Sequence, residues 1–222
     1  MVKAVIFDVD GTIVDSVDLH ARAWQDAFRD FGHEIELKPI RDQIGKGGDQ
    51  LLPVFLTREQ IDKEGPDLEK HRGDILKERY LSQIKAFPKV TQLFERIRAD
   101  RIKIFLGSSA KSEELQTYKK IVGIEGLIDG ETSSEDAEKS KPHPDVYLAA
   151  MAKLEGIHTS EVVVVGDSPY DAEAAGKVGL RTIGFRSGGF AEAKLRAAGC
   201  IAIYDGPADL LARYDDSVLV EP

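Results

Sequence analysis

The sequence predicts an α/β fold in which a parallel sheet has helices on both faces and an all-helical segment is inserted into the chain. Three observations lead to this prediction. The chain opens with a short apolar run, the segment from Asp15 to about Ala86 is helical and polar, and helical and strand-like segments alternate after Pro88. Alternation of this kind is typical of a parallel sheet covered by helices, because parallel strands need crossover connections.

The first strand is the apolar run from Val2 to Phe7, which is rich in β-branched residues. It ends at Asp8-Val9-Asp10-Gly11, a sequence typical of a turn. From Ser16 to about Phe31, apolar residues recur at nearly helical spacing, with Ser16 as the N-cap and Gly32 as the stop signal. The chain is therefore predicted to begin with a strand and a helix.

The segment that follows is predicted to be an all-helical insert. From Pro39 to Lys85 it holds no convincing strand, and its helical pattern is broken at Gly45 to Gly48, at Pro53 and at Gly65-Pro66. Thr57 and Gln60 have the spacing of a capping box at a helix start. The predicted division is residues 15–86 for the insert and residues 1–14 with 87–222 for the α/β core.

After Pro88 the predicted elements alternate regularly. Helices are expected at 90–99, 113–122, 144–154, 170–177 and 190–198, and strands at 102–106, 162–165, 181–185 and 200–203. Together with the first strand, they predict a Rossmann-like parallel sheet with helices on both faces. In such sheets, ligands bind in the crevice beyond the carboxyl ends of the strands.

The composition excludes several classes of function. A net charge of -9 and a pI near 5.1 argue against binding of nucleic acid, which needs a clustered basic surface. The single cysteine, Cys200, has no partner for an internal disulfide. No apolar run approaches the roughly 20 residues of a membrane span. We therefore expect a cytoplasmic protein without a nucleic-acid or membrane partner, and we favour a monomer.

Four polar clusters fall at predicted strand ends or helix starts, so the fold would bring them to one edge of the sheet. They are Asp8-Val9-Asp10-Gly11-Thr12, Gly107-Ser108-Ser109, Lys141-Pro142-His143-Pro144-Asp145 and Gly166-Asp167-Ser168-Pro169-Tyr170-Asp171.

The first cluster predicts phosphoryl transfer. Asp8 and Asp10 are two residues apart and can both face the crevice, with Gly11 letting the chain turn away. A carboxylate can attack phosphorus to form an acyl phosphate, and a neighbouring carboxyl can protonate the leaving oxygen and later accept a proton from water. Asp8 is therefore the predicted nucleophile, and Asp10 is the predicted general acid and base.

The predicted site needs cations, because its carboxylates would repel a phosphate dianion. Magnesium is expected, since it prefers oxygen ligands and binds one or two carboxylates plus a substrate phosphate. Lys141, or its neighbour Lys139, could neutralise the transferring phosphoryl group. The Ser108 hydroxyl and the adjacent backbone N–H groups could bind the phosphoryl oxygens, and Ser109 is a candidate contact to substrate.

These four clusters, in this order, resemble the motifs of the haloacid dehalogenase-like superfamily, in the branch that contains β-phosphoglucomutases and phosphoglycolate phosphatases. The resemblance covers nearly the whole chain, including a helical cap domain inserted after the first motif. It implies that Asp8 and Asp167 bind magnesium through their carboxylates and Asp10 through its backbone carbonyl. It also favours Lys141 over Lys139.

Other candidate residues have two interpretations each. Asp171 could hold a metal-bound water or a neighbouring side chain, or it could cap its helix. Gly45-Lys46-Gly47-Gly48 could reach over the crevice, so that Lys46 contacts the leaving group of the substrate, or it could be a flexible turn. His20 and Trp24 resemble the His and Trp that β-phosphoglucomutases carry at the start of the cap. His20 is thus a candidate substrate contact, whereas Trp24 also fits a core position.

The leading prediction is a phosphatase for a small phosphorylated metabolite, and the alternative is a sugar phosphate mutase. Mutases of this branch usually carry Glu-Asp where this chain has Gly166-Asp167, and a cap loop with Arg and Ser where it has Gly45 to Gly48. Asp10 disfavours a dehalogenase or a phosphonoacetaldehyde hydrolase. A signalling receiver domain is disfavoured because Asp8 lies on the first strand, and an idle binding protein because no expected catalytic side chain is missing.

Overall fold

A six-stranded parallel sheet forms the centre of the computed structural model, which describes residues 1–220. Every pair of neighbouring strands in this sheet runs parallel. Along the sheet, the strands are β5 (Gly130–Thr132), β4 (Lys103–Gly107), β1 (Ala4–Phe7), β6 (Val162–Gly166), β7 (Arg181–Phe185) and β8 (Cys200–Tyr204). The predicted parallel sheet is confirmed.

Strand β1 lies in the middle of the sheet, where the chain changes direction. From β1 the chain passes to β4 and β5 on one side, and it then returns to β6 on the other side. All residues of β1 and β6 are buried, as expected of central strands that are covered on both faces. The carboxyl end of β1 is therefore a topological switch point, where α/β sheets form a crevice for ligands.

Helices cover both faces of the sheet, as the sequence predicts. Val5 and Phe7 of β1 face one apolar layer, and Ala4 and Ile6 face the other. The first layer is packed by α5 (Val90–Ala99), α6 (Ser112–Val122) and α10 (Pro207–Ala212). The second layer is packed by α7 (Asp145–Lys153) and α8 (Pro169–Gly176), with α9 (Glu192–Ala197) beside α8.

The chain between β2 (Val14–Asp15) and β3 (Lys85–Ala86) forms a helical cap. Strands β2 and β3 pair antiparallel, so the chain enters and leaves the cap at one place. The cap contains α1 (Val17–Asp30), α2 (Leu37–Arg41), α3 (Gly48–Phe55), α4 (Arg58–Ile75), a π-helical turn (Leu76–Tyr80) and a 3-10 turn (Leu81–Gln83). These helices bury an apolar cluster of their own. The helical cap is confirmed, and its exact boundaries at 15 and 86 stay a prediction.

The helix signals within the cap are only partly correct. Thr57 Oγ1 accepts the N–H of Gln60 (3.3 Å), and Gln60 Oε1 accepts the N–H of Thr57 (2.8 Å), which confirms the capping box of α4. The predicted breaks at Pro53 and Gly65-Pro66 are wrong, because these residues lie inside α3 and α4. A Cβ on the buried Gly65 would lie 3.5 Å from Leu52 Cδ1 of α3. The close packing at Gly65 offsets the backbone hydrogen bond that Pro66 cannot donate.

The shortest elements carry no clear sequence signal. Strand β5 has three residues, and β2 and β3 have two each, too few to show an alternating pattern. The expectation that Pro39 to Lys85 holds no strand is therefore wrong at its last residue, since Lys85 begins β3 and pairs with Asp15. Helix α10 is also absent from the predicted elements. The other predicted elements are present, with ends that differ by at most two residues.

Within residues 1–220, no helix combines the length and the apolar composition of a membrane span. The cytoplasmic location and the monomeric state stay predictions.

Candidate active site

Asp8 lies where β1 ends, on the floor of a cleft between the sheet and the cap. Its backbone N–H donates to the carbonyl of Val165 in β6 (2.8 Å), so strand pairing fixes its position. The two carboxylate oxygens have different partners: Oδ1 accepts from Lys141 Nζ (2.5 Å) and Oδ2 from the Thr12 hydroxyl (3.0 Å). The carboxylate is thus held in one orientation with a cation beside it.

Lys141 is the buried cation of the site. Its Nζ lies 2.5 Å from Asp8 Oδ1 and 2.8 Å from Asp171 Oδ1. Burial alone would lower the pKa of Lys141, but the carboxylates of Asp171 and Asp8 outweigh burial and raise the pKa. Lys139, the alternative lysine, is exposed. The structure therefore brings Lys141, and not Lys139, to Asp8.

Asp171 is buried beside Lys141 and has four donors around its carboxylate. Oδ1 accepts from Lys141 (2.8 Å) and from the Tyr147 hydroxyl (2.9 Å). Oδ2 accepts from the N–H (3.1 Å) and the hydroxyl (2.7 Å) of Ser168. The bonds to Ser168 form the capping box of α8. Asp171 therefore both caps its helix and holds a neighbouring side chain.

Asp167 completes a group of three buried carboxylates. Oxygens of Asp8, Asp167 and Asp171 lie within 4.8 Å of one another. Burial raises the pKa of Asp8 to about 7, an effect that Lys141 opposes and Asp171 reinforces. Burial, followed by repulsion from Asp8 and Asp171, raises the pKa of Asp167 well above its usual range.

This donor set fits a divalent cation. Repulsion between buried carboxylates is relieved by a positive ion, and oxygen ligands are those that magnesium prefers. The oxygens of Asp171 are already occupied by four donors. Asp8 and Asp167 are therefore the two side chains that fit direct ligation.

The carboxylate of Asp10 lies toward the first helix of the cap, away from the acidic group. Its Oδ1 accepts from the Ser16 hydroxyl (2.6 Å) and lies 2.8 Å from His20 Nε2. Burial would raise the pKa of Asp10, but His20 and then Ser16 outweigh burial and lower the pKa. His20 Nε2 also lies 3.1 Å from the Tyr118 hydroxyl. Asp8 and Asp10 both line the cleft, but in opposite electrostatic settings.

Ser108 and Ser109 follow β4 and line the same cleft. The N–H of Ser108 donates to the carbonyl of Thr132 (3.1 Å), and its hydroxyl accepts from the N–H of Ala110 (3.0 Å). These two N–H groups are therefore already engaged. The buried Ser109 hydroxyl has no hydrogen-bond partner within residues 1–220. The groups that remain available for the predicted contact to phosphoryl oxygens are the two serine hydroxyls and the N–H of Ser109.

The cap supplies the other wall of the cleft, which encloses about 180 Å³. Lys46 lines this wall, donates to Gln43 Oε1 (2.6 Å) and lies 4.6 Å from the centre of the Tyr170 ring. Burial lowers the pKa of Lys46, and Glu173 partly opposes burial. Trp24 packs in the apolar cluster of the cap, as expected of a core residue, and also borders the cleft.

The glycine-rich loop that carries Lys46 is docked on the core. The N–H of Gly47 donates to the Ser140 hydroxyl (2.8 Å), and the Tyr170 hydroxyl donates to the carbonyl of Asp42 (2.7 Å). Gly45 has a φ of +109°, and a Cβ there would lie 2.8 Å from Ser168 Oγ. A residue with a side chain could not adopt this close approach without displacing Ser168.

A match to a known family accompanies this geometry. Residues 5–185 match the family model described as haloacid dehalogenase-like hydrolase. The chain belongs to this family.

Several proteins are similar to this haloacid dehalogenase-like hydrolase over most of its length. The phosphorylated carbohydrates phosphatase of Thermotoga maritima is 25% identical over 181 residues, covering 82% of the chain and 83% of that protein. A hydrolase from Pseudomonas syringae has a TM-score of 0.88 with 30% identity, covering 96% of this chain and 98% of that one. The chloroplastic protein SUPPRESSOR OF QUENCHING 1 of Arabidopsis thaliana is 31% identical over 208 residues, or 92% of this chain. The chain spans only 20% of the length of that relative.

In this haloacid dehalogenase-like hydrolase, the predicted residues meet at one edge of the sheet. The cleft is lined by Asp8, Asp10, His20, Lys46, Ser108, Ser109 and Lys141. Asp167 and Asp171 are buried beside Asp8. Their functional roles stay predictions. The Asp10 carboxylate is not part of the cluster of Asp8, Asp167 and Asp171. The predicted metal contact from Asp10 would therefore have to come from its backbone carbonyl.

Sequence reasoning missed several residues that hold the site together. Thr12 contacts Asp8, Ser16 contacts Asp10, and Tyr147 contacts Asp171. A Cβ on Gly188 would lie only 1.7 Å from Asp167 Oδ2, so the backbone passes directly against this carboxylate. Only Thr12 carried a signal, as the last residue of the first cluster. The others are distant in sequence or fit ordinary turn, cap and core positions.

Proposed function

We propose that this haloacid dehalogenase-like hydrolase is a magnesium-dependent phosphatase that acts on a small phosphorylated metabolite through an aspartyl phosphate on Asp8. The observation that carries the proposal is the pair of cleft carboxylates in opposite settings, Asp8 beside Lys141 and Asp10 beside His20. Two carboxylates whose surroundings shift their pKa values in opposite directions are typical of sites in which one acts as nucleophile and the other as acid and base. The name of the Thermotoga maritima relative supports a phosphorylated small molecule as substrate.

In the first step, an oxygen of Asp8 forms a bond to phosphorus while the bond from phosphorus to the leaving oxygen breaks. Asp10 donates a proton to that oxygen, so that an alcohol departs. Lys141, 2.5 Å from Asp8 Oδ1, stabilises the negative charge beside the reacting atoms. The hydroxyls of Ser108 and Ser109 bind the phosphoryl oxygens.

In the second step, water attacks phosphorus, Asp10 accepts its proton, and the bond from phosphorus to Asp8 breaks to release inorganic phosphate. The lowered pKa of Asp10 suits this step, because His20 and Ser16 favour the ionised carboxylate. A phosphate dianion bound beside Asp10 in the first step repels this charge and raises the pKa again. The same residue can therefore serve as acid and then as base.

Asp8 and Asp167 would hold the magnesium ion. When bound, the ion supplies positive charge that neutralises these carboxylates and polarises the phosphoryl oxygens. The Thr12 hydroxyl lies between the two ligands, 3.0 Å from Asp8 Oδ2 and 3.2 Å from Asp167 Oδ1. Its position orients both carboxylates for the ion.

The test is phosphate release from a panel of phosphorylated metabolites with Mg²⁺. We expect release by the wild type, loss of release with EDTA, recovery on adding Mg²⁺ back, and loss in Asp8→Asn. The matched control is Asp215→Asn, because the Asp215 side chain is 84% exposed. Activity that survives in Asp8→Asn, or that is lost equally in Asp215→Asn, contradicts the proposal.

A sugar phosphate mutase is the second candidate, and the contact between His20 and Asp10 favours it, since a His at this point resembles the mutases. A mutase would pass the phosphoryl group to a sugar hydroxyl instead of water. Phosphorus NMR of β-glucose 1-phosphate with the enzyme separates the two functions. Conversion to another sugar phosphate without free phosphate would favour the mutase, and free phosphate alone would favour the phosphatase.

A further inference from the structure

Arg72 lines the cleft from the cap, opposite the floor formed by Asp8 and Lys141. It belongs to α4, and its side chain is only 14% exposed. The guanidinium lies 5.1 Å from the centre of the Trp24 ring, a distance that allows a cation–π contact. This contact with the buried Trp24 holds the guanidinium beside the ring.

One donor of this arginine is unsatisfied within residues 1–220. Arg72 Nε is buried and has no hydrogen-bond partner. The carboxylate of Glu114 lies 3.8 Å from Nη1, which is too far for a hydrogen bond. Arg96 and Arg213 also lie over aromatic rings, but both of these donate hydrogen bonds to aspartates. Arg72 differs from these two arginines in having a buried donor, Nε, without a hydrogen-bond partner.

A guanidinium in this state is suited to an anion. Its planar set of five donors matches the two oxygens of a carboxylate or a phosphate. Lys46, on the same wall, is already engaged with Gln43 and Tyr170. Arg72 is therefore better placed than Lys46 to bind an acidic group at the cap end of the cleft.

We infer that Arg72 binds a second anionic group of the substrate, so that the enzyme prefers phosphate monoesters that also carry a carboxylate or another phosphate. This inference rests on the proposed phosphatase function, because it assumes that the phosphoryl group of the substrate lies at Asp8 while Arg72 binds the second anionic group. The cleft of about 180 Å³ suits a short metabolite that reaches from Asp8 to Arg72.

The competing role for Arg72 is structural. Glu114 belongs to α6 of the core, so an ion pair with Arg72 could hold the cap closed without contacting substrate. Replacing Glu114 separates the two roles. Glu114→Gln removes the ion pair but leaves the guanidinium free for an anion, whereas Arg72→Gln removes both.

The test compares two pairs of ligands that differ in one anionic group. These are glycerate 3-phosphate against glycerol 3-phosphate for the carboxylate, and fructose 1,6-bisphosphate against fructose 1-phosphate for the second phosphate. Calorimetric titration with Mg²⁺ uses the Asp8→Asn protein, so that turnover does not interfere. In at least one pair, the more anionic member should bind about 10- to 100-fold more tightly.

In the same background, Arg72→Gln should abolish this preference, Arg72→Lys should retain part of it, and Glu114→Gln should retain or increase it. Equal affinities within both pairs, or a preference that survives in Arg72→Gln, would overturn the inference. Equal losses in Arg72→Gln and Glu114→Gln would assign Arg72 to the structural role. Release of phosphate from p-nitrophenyl phosphate by the wild type tests the phosphatase function separately, since this ester has no second anionic group.

Discussion

At the residue scale, the site depends on how each buried charge is compensated. Lys141 lies between Asp8 and Asp171, and all three side chains are almost fully buried. Removing one member of a buried ion pair leaves an uncompensated charge, which is far more destabilising than losing a surface pair. The lysine is therefore expected to contribute to folding as well as to the proposed chemistry.

Lys141→Gln should lower the free energy of unfolding by about 3 kcal/mol or more, because two buried carboxylates lose their cation. Urea denaturation at neutral pH in EDTA measures the change. Lys139→Gln is the matched control, since this lysine is two residues away and exposed. Equal stability of the two variants would show that Lys141 is not the cation these carboxylates require.

Asp8 should make the metal-free protein less stable as the pH rises toward neutrality. Its pKa of about 7 in the folded protein is above the ordinary value of 3.8, so the folded state binds the proton more tightly. This contribution to stability is fully present below pH 3.8 and is lost as the pH rises through about 7.

Asp8→Asn lacks this titration. The stability of the variant relative to the wild type should therefore increase between about pH 4 and pH 7, by an amount on the order of a few kcal/mol. Guanidinium denaturation of both proteins in EDTA at several pH values measures the difference. A stability difference that does not change with pH would contradict the raised pKa.

The sequence predicted the charged residues of the site better than their supports. Asp8, Lys141 and Asp167 lie in clusters at strand ends or helix starts, and topology brings such positions together. Tyr147 could not be predicted, because an aromatic residue on a buried helix face usually belongs to the core. Gly188 could not be predicted either, because its importance depends on an approach to Asp167 that only the folded chain creates.

At the element scale, length decides what the sequence reveals. Helix α5 and strand β7 are long enough to show their periods, and both lie where the pattern predicts them. Strand β5 has three residues and is stabilised by pairing with β4. This pairing cannot be predicted from the sequence of so short a segment. Helix α4 runs through Pro66 because packing at Gly65 outweighs local propensity.

The turn after β7 should be essential for metal binding. Gly188→Ala would place a Cβ 1.7 Å from Asp167 Oδ2, so the carboxylate has to leave its present position. We expect Mg²⁺ affinity to fall by at least about 10-fold, the scale seen when groups that orient metal ligands are lost. Calorimetric titration with Mg²⁺ measures the affinity.

The control for this variant is Gly176→Ala. Gly176 ends α8, and a Cβ there meets no atom within 4 Å. Its Mg²⁺ affinity should match the wild type. If Gly188→Ala also matches the wild type, the backbone contact with Asp167 does not position the metal ligand.

At the scale of the whole molecule, the cleft is closed by contacts between the cap loop and the core. The N–H of Gly47 donates to Ser140, and Tyr170 donates to Asp42. These few hydrogen bonds are polar and lie near solvent, so they can open more easily than an apolar interface. Opening of these contacts would widen the entrance to the cleft, and closing them would exclude water, which favours the proposed attack by Asp8.

We therefore expect the protein to become more compact when Mg²⁺ and orthovanadate, a phosphate analogue, are added together. Small-angle X-ray scattering should show a smaller radius of gyration than for the free protein, and Asp8→Asn should respond less. Identical scattering profiles with and without the ligands would indicate a cap that does not move.

The antiparallel pairing of β2 and β3 has a consequence for evolution. Val14 lies opposite Ala86, so the chain departs from the sheet and rejoins it through two adjacent strands. A segment attached in this way can lengthen, shorten or be exchanged between homologues while the strand order of the sheet is preserved. New substrate preferences can then arise by grafting a different segment onto an unchanged reaction centre.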